Sequence, residues 1–141
     1  MLPPLKSNTS IEEIVDNFSF LEEWDDRYGY LIELGKDLTP LDDEQLTDMN
    51  KVQGCVSQVW LVHENDNGTL IFNGMSDAHI VRGLVAIALS MFSNKTADEI
   101  LQTDEQTTFN AVGLQEHLTP QRANGLRSMV QRIKSIAQAS I

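Results

Sequence analysis

Apolar residues first fall into register at Ile11, Ile14, Val15 and Phe18, the i, i+3, i+4, i+7 spacing that lines one face of an α-helix. Ser10 and Glu13 before them have the Ser-x-x-Glu spacing of a capping box, so a helix is predicted from about Ile11 to Asn17. Leu21, Trp24, Tyr28, Leu31 and Ile32 repeat the period while Glu22, Glu23, Asp25, Asp26 and Glu33 take the other face, with Gly35 as the expected terminator of a second, longer helix. Residues 1–9 carry two prolines and three small polar residues without period and read as a flexible tail; residues 10–141 read as one domain.

The period then breaks. From Lys36 to Gln53 the chain is interrupted by Pro40 and made acidic by Asp42, Asp43, Glu44 and Asp48; a connection this long is usually functional or mobile. Two runs rich in β-branched and aromatic residues follow, Ser57–His63 and Thr69–Gly74, with an Asn67-Gly68 step between them. Both turn residues tolerate positive φ, so an antiparallel hairpin is expected. Asp77 is the expected N-cap of a strongly apolar helix through Val81, Leu84, Val85, Ala88 and Leu89. Thr96 and Glu99 repeat the capping-box spacing, Asp104 can cap a short segment through Phe109 and Val112 that Gly113 ends, and Thr119-Pro120 opens a last helix running to the C-terminus. The order predicts an α+β fold: a small antiparallel sheet, hairpin plus possible third strand, packed against several helices.

Composition narrows the function classes. The chain has 141 residues, the size of one ordinary domain. With 10 Lys and Arg against 21 Asp and Glu the formal charge is -11, which repels phosphate backbones, so nucleic acid is not an expected partner. The longest strongly apolar stretch, Leu84–Phe92, falls far short of the ~20 residues of a membrane span, and no leader pattern opens the chain; a cytoplasmic location without membrane attachment is expected. A single cysteine, Cys55, cannot close an internal disulfide or fill a four-thiolate metal site.

That cysteine is the first candidate for chemistry. It follows Gly54 at the end of the acidic connection and directly precedes the first strand, a geometry that can present sulfur at a rim; the competing reading is a small buried hydrophobe. His63, His79 and His117 lie on different elements without metal-ligand spacing, and a Cys-His nucleophile pair would need a tertiary contact. Gly68, Gly74 and Gly83 form no phosphate-binding pattern, and Trp24, Tyr28 and Trp60 read as core or interface aromatics.

Four segments, taken together, resemble the SufE/CsdE family of sulfur-acceptor proteins in order and spacing: Trp24-Asp25-Asp26-Arg27-Tyr28 through Gly35; Val52-Gln53-Gly54-Cys55-Val56-Ser57-Gln58-Val59-Trp60; Gly74-Met75-Ser76-Asp77-Ala78-His79 through Leu84; and His117-Leu118-Thr119-Pro120-Gln121-Arg122 through Leu126. The resemblance implies a fold similar to the iron–sulfur scaffold proteins of the IscU kind. It also implies a persulfide carrier that is not itself an enzyme: Cys55 would accept sulfane sulfur from a cysteine desulfurase, stimulate that enzyme, and pass the sulfur to an iron–sulfur scaffold complex of the SufBCD kind. Pyridoxal phosphate would belong to the desulfurase, and no cofactor or metal is expected on this chain. Gly54, Asp77, Arg122 and His117 are expected to support the Cys55 loop or dock the partner, Asp77 first as a helix cap, and Gly54 as a hinge that lets the sulfur be concealed in the free protein. The oligomeric expectation is a monomer or weak homodimer. The alternatives are a CsdE-like relay to another acceptor, such as a tRNA-modification route, an inert acidic module that binds proteins, and a redox enzyme with a peroxidatic Cys55.

Overall fold

The structure is a computed structural model, and it describes residues 10–54, 57–113 and 118–141. The expected N-terminal tail, Cys55 and His117 lie outside the described residues.

Helix α1 (Ile11–Phe20) opens as its sequence predicts, with Ser10 Oγ accepting from the Glu13 N–H at 3.2 Å. It runs three residues beyond the predicted Asn17. No Gly or Pro stops it there, and the extra turn seats Phe18 in the core, edge-on to Tyr30 with 5.1 Å between ring centroids. Helix α2 (Trp24–Lys36) corrects the reading of Gly35, which does not terminate it. Gly35 is buried inside the helix, and a Cβ there would lie 2.7 Å from the Arg82 Cβ and 2.9 Å from the Gly83 nitrogen. A Cβ on Gly83 would in turn overlap the Leu31 carbonyl. The two glycines let the backbones of α2 and α3 (His79–Phe92) approach more closely than side chains permit.

Strands β1 (Val59–Asp66) and β2 (Thr69–Ser76) pair antiparallel from Val59↔Ser76 to Asp66↔Thr69. Asn67 (φ 52°) and Gly68 (φ 95°) turn between them, both in the left-handed region that a two-residue primed turn requires. The third strand exists but is short: β3 (Lys95–Thr96) pairs with β2 through Thr69↔Thr96 and Leu70↔Lys95, giving the order β1-β2-β3. On the other side Lys51 makes an isolated antiparallel bridge to Trp60. Gly74 marks where α3 lies on the sheet, since a Cβ there would meet Val85 Cγ1 at 2.9 Å.

Three later caps fall where the sequence puts them. Thr96 and Glu99 close a reciprocal capping box on α4 (Ala97–Gln102). Asp104 accepts from the Gln106 N–H at 3.1 Å to start α5 (Glu105–Val112), which Gly113 ends at φ 69°. Thr119 accepts from the Arg122 N–H, with Pro120 in the first turn of α6 (Pro120–Ala139). Helix α3 is the most enclosed element, with Leu84, Val85, Ile87, Leu89 and Phe92 in the core. On α6, Leu126, Met129, Ile133 and Ala137 close that core from the other side. The architecture is α+β: a small antiparallel sheet with helices packed on it.

Candidate functional site

The segment that leads to Cys55 is held before it and after it. Upstream, Asp48–Asn50 form one 3-10 turn, and the Val52 N–H donates to the Val59 carbonyl at 2.8 Å, which lays residues 51–52 beside the start of β1. Gly54 has φ +89°, and a Cβ there would stand 2.7 Å from Ser128 Oγ on α6. Both the backbone and the space therefore select glycine at the position before the cysteine.

Downstream, Gln58 is tied from several sides. Its N–H donates to Asp77 Oδ1 at 3.0 Å, its Nε2 to Asp77 Oδ2 at 3.4 Å, and its carbonyl accepts from Ser76 Oγ at 2.7 Å and from the Asp77 N–H at 3.3 Å. The Ser76 carbonyl accepts from Arg82 Nε at 2.7 Å, which links this knot to the first turn of α3. Asp77 is thus not the cap of α3. The N-cap position belongs to Ala78, which makes no side-chain cap bond, because the Asp77 carboxylate is turned toward Gln58. A carboxylate accepting two N–H groups at a strand start competes with capping, and here the long-range partner wins.

Between the Gln58 knot and α6 lies a cavity of about 300 Å³. Ser57, Val59, Val81 and Leu84 line one side, while Thr119, Arg122, Gly125 and Met129 line the other. Its walls are mostly apolar, and Arg122 supplies the cation. The Arg122 side chain is half-buried, and among the described residues its guanidinium has no hydrogen-bond or ion-pair partner. It sits in the first turn of α6, near the positive end of the helix dipole, so one corner of the cavity is electropositive in an acidic chain.

Of the residues predicted for the site, Arg122 lines the cavity, Asp77 braces Gln58 next to it and Gly54 lies against Ser128 of α6, whereas Cys55 and His117 lie outside the described residues. His63 and His79 are elsewhere. The His63 ring lies 6.1 Å from that of Phe72, and partial burial, then the Arg132 guanidinium, hold its pKa below the ordinary histidine value. His79 is exposed at the start of α3. Among the described residues no group of three or more His, Cys, Asp or Glu side chains is placed to hold a metal ion, and no helix is long and apolar enough to cross a membrane. Three further residues carried no signal in the sequence: Gln58, which holds the knot, Ser128, which faces Gly54, and Arg132. Arg132 donates from Nη2 to the Met49 carbonyl at 3.0 Å and from Nη1 to the Lys51 carbonyl at 3.3 Å.

Residues 12–137 match a family model described as "SufE: Fe-S metabolism associated domain". An uncharacterized SufE-like protein of Rhizobium meliloti (strain 1021) is 55% identical over 137 residues, covering 94% of this chain and 98% of its own length. Another, from Rhizobium etli, is 53% identical over 133 residues, covering 92% of this chain and 90% of its own. Among solved structures, a hypothetical protein from Thermus thermophilus superposes with a TM-score of 0.74 at 16% identity, covering 92% of this chain and 94% of that one; it shares the fold.

Proposed function

This chain belongs to the SufE family, whose domain is associated with iron–sulfur metabolism, and from that premise we propose that it is a sulfur carrier acting through Cys55. The observation that carries the reading is the placement of the cysteine's neighbours. Gly54 before it lies close against Ser128 of α6, Gln58 after it is held by Asp77, and Ser57 opens onto a cavity lined by Arg122, whose guanidinium has no partner among the described residues.

The reaction is thiol–persulfide exchange. The Cys55 thiolate attacks the terminal sulfur of a persulfide on the desulfurase; a new S–S bond forms on Cys55, the old S–S bond breaks, and the desulfurase cysteine leaves as thiolate. No net oxidation occurs, and the proton on the terminal sulfur moves with it. Pyridoxal phosphate and the carbon–sulfur cleavage belong to the desulfurase, and the carrier stimulates it by emptying its cysteine. A free thiol of pKa ~8.5 is only a few per cent ionised at neutral pH, and Asp42, Asp43, Glu44 and Asp48 on the approach segment disfavour the anion further. Full activation therefore waits for docking. Arg122 offers the partner a cation, Gly54 serves as the hinge of the Cys55 loop, and His117 is assigned to partner docking or loop support. The sulfur passes next to an iron–sulfur scaffold complex, in the cytoplasm where reduced thiols are the rule.

The test mixes the protein with a cysteine desulfurase and free cysteine and reads intact mass. Wild type should gain one sulfur atom that a reductant removes, and Cys55→Ser should gain none while unfolding at the same temperature. Sulfur loading that survives Cys55→Ser would overturn the proposal.

A further inference from the structure

We infer that Arg132 is a positioning residue for the sulfur-accepting segment: its guanidinium clamps the Met49 and Lys51 carbonyls to α6 and so fixes the path of residues 49–54. The inference rests on the carrier reading for its functional meaning and on geometry for its substance.

Arginine is the common ion-pair partner of carboxylates, and this chain has 21 Asp and Glu. Yet among the described residues Arg132 forms no ion pair. Its two terminal nitrogens instead reach two carbonyls that lie two residues apart, Met49 at 3.0 Å and Lys51 at 3.3 Å. A planar fork of donors suits that spacing, and a point-like ammonium does not. The anchor is rigid, since Met129 and Ile133 beside it on α6 are buried in the core.

The clamped segment is held locally by its 3-10 turn, by Asn50 Nδ2 on the Gln45 carbonyl and by the buried Val52 side chain, but among the described residues only Arg132 ties its Met49 and Lys51 carbonyls to α6. Its backbone ties to β1 are the Lys51–Trp60 bridge and the bond from the Val52 N–H, and the Met49 and Lys51 carbonyls take their side-chain donors from Arg132. One turn earlier on α6, Ser128 meets Gly54. Earlier still, Arg122 and Gly125 line the cavity with Ser57. Residues 49–54 thus follow α6 from its middle toward its N-terminus, and Ser57 lines the cavity nearer that end. Arg132 sets the register at the far end of that track, six residues before Cys55. Position, rather than charge contributed to the thiol, is its function.

The experiment compares wild type with Arg132→Ala and Arg132→Lys in three measurements: the alkylation rate of Cys55 across pH without partner, amide exchange resolved by residue, and sulfur loading from a desulfurase. In Arg132→Ala the Val52 amide should exchange about tenfold faster, and Cys55 should alkylate about fivefold faster or more at every pH, while hairpin amides such as Leu61 and Phe72 keep their protection. Arg132→Lys should fall between, since it recovers at most part of the fork. Val52 exchange and Cys55 alkylation unchanged in both variants would overturn the inference, and so would equal loss of protection at Val52 and in the hairpin. Should the alanine variant fail to fold, the lysine variant decides by the same two readings. A wild type that takes up no sulfur would sink the carrier reading alone, because exchange and alkylation still report the clamp.

Discussion

Gly54 and Asp77 hold the two sides of the cysteine by different means, and their substitutions should separate. Gly54 has a positive φ, and a Cβ there would have to displace the Ser128 hydroxyl. Gly54→Ala should destabilise the protein by about 1–2 kcal/mol in a denaturant titration, and pairing it with Ser128→Gly should recover the steric part but not the conformational part. Asp77 is exposed, and its carboxylate serves Gln58 rather than α3. Asp77→Arg should therefore cost only about 1 kcal/mol in stability, leave helix content unchanged, and speed Cys55 alkylation severalfold in the free protein. Unchanged alkylation would remove Asp77 from loop support. Arg122→Ala should weaken desulfurase binding most at low ionic strength, and equal affinities at all salt concentrations would exclude a docking role.

At the scale of elements, the crossing of α2 and α3 tests the account of the glycines. Gly83→Ala should cost several kcal/mol, on the order of 3, because its Cβ would meet the Leu31 backbone, which cannot rotate away. Gly29→Ala on the exposed face of α2 meets nothing within 4 Å and should instead stabilise by about 0.5–1 kcal/mol through helix propensity. Opposite signs for two Gly→Ala changes on one helix pair would be read directly from unfolding midpoints. The helix starts were legible in the sequence wherever a cap lay within three residues of its partner, as at Ser10, Thr96, Asp104 and Thr119. Gly35 was misread because a glycine after a helical run signals a stop unless a neighbouring helix needs the space, and that neighbour lies some fifty residues downstream.

The whole molecule responds to acid and salt through its excess of carboxylates. Glu99 is held below its ordinary 4.5 first by the bond it accepts from the Thr96 backbone, and Asp104 below its ordinary 3.8 first by the Thr107 hydroxyl. A carboxylate with a lowered folded pKa contributes fully above its unfolded value and loses that contribution as pH falls through the folded one. The ends of α4 and α5 should therefore loosen first below pH 4.5 and 3.8, seen as faster amide exchange over residues 97–112 than in β1 and β2. At neutral pH the charge of -11 repels itself, so raising ionic strength from low values to about 0.15 M should raise the unfolding temperature.

What the sequence determined by itself is what acts within a few residues: the helical and strand periods, the caps, the Asn67-Gly68 turn, the α+β order, and the motif around Gly54-Cys55 that carries the family. Periodicity and capping are local physics, so a string of residues contains them. Tertiary structure decided the rest. It turned Asp77 from a cap into a brace for Gln58, 19 positions away, because a strand start offered its carboxylate better donors than the helix did. It placed Arg122 on a cavity wall and gave Arg132 carbonyl partners 81 and 83 positions away. Such contacts depend on how the hairpin, α3 and α6 pack together, which is fixed by the whole core.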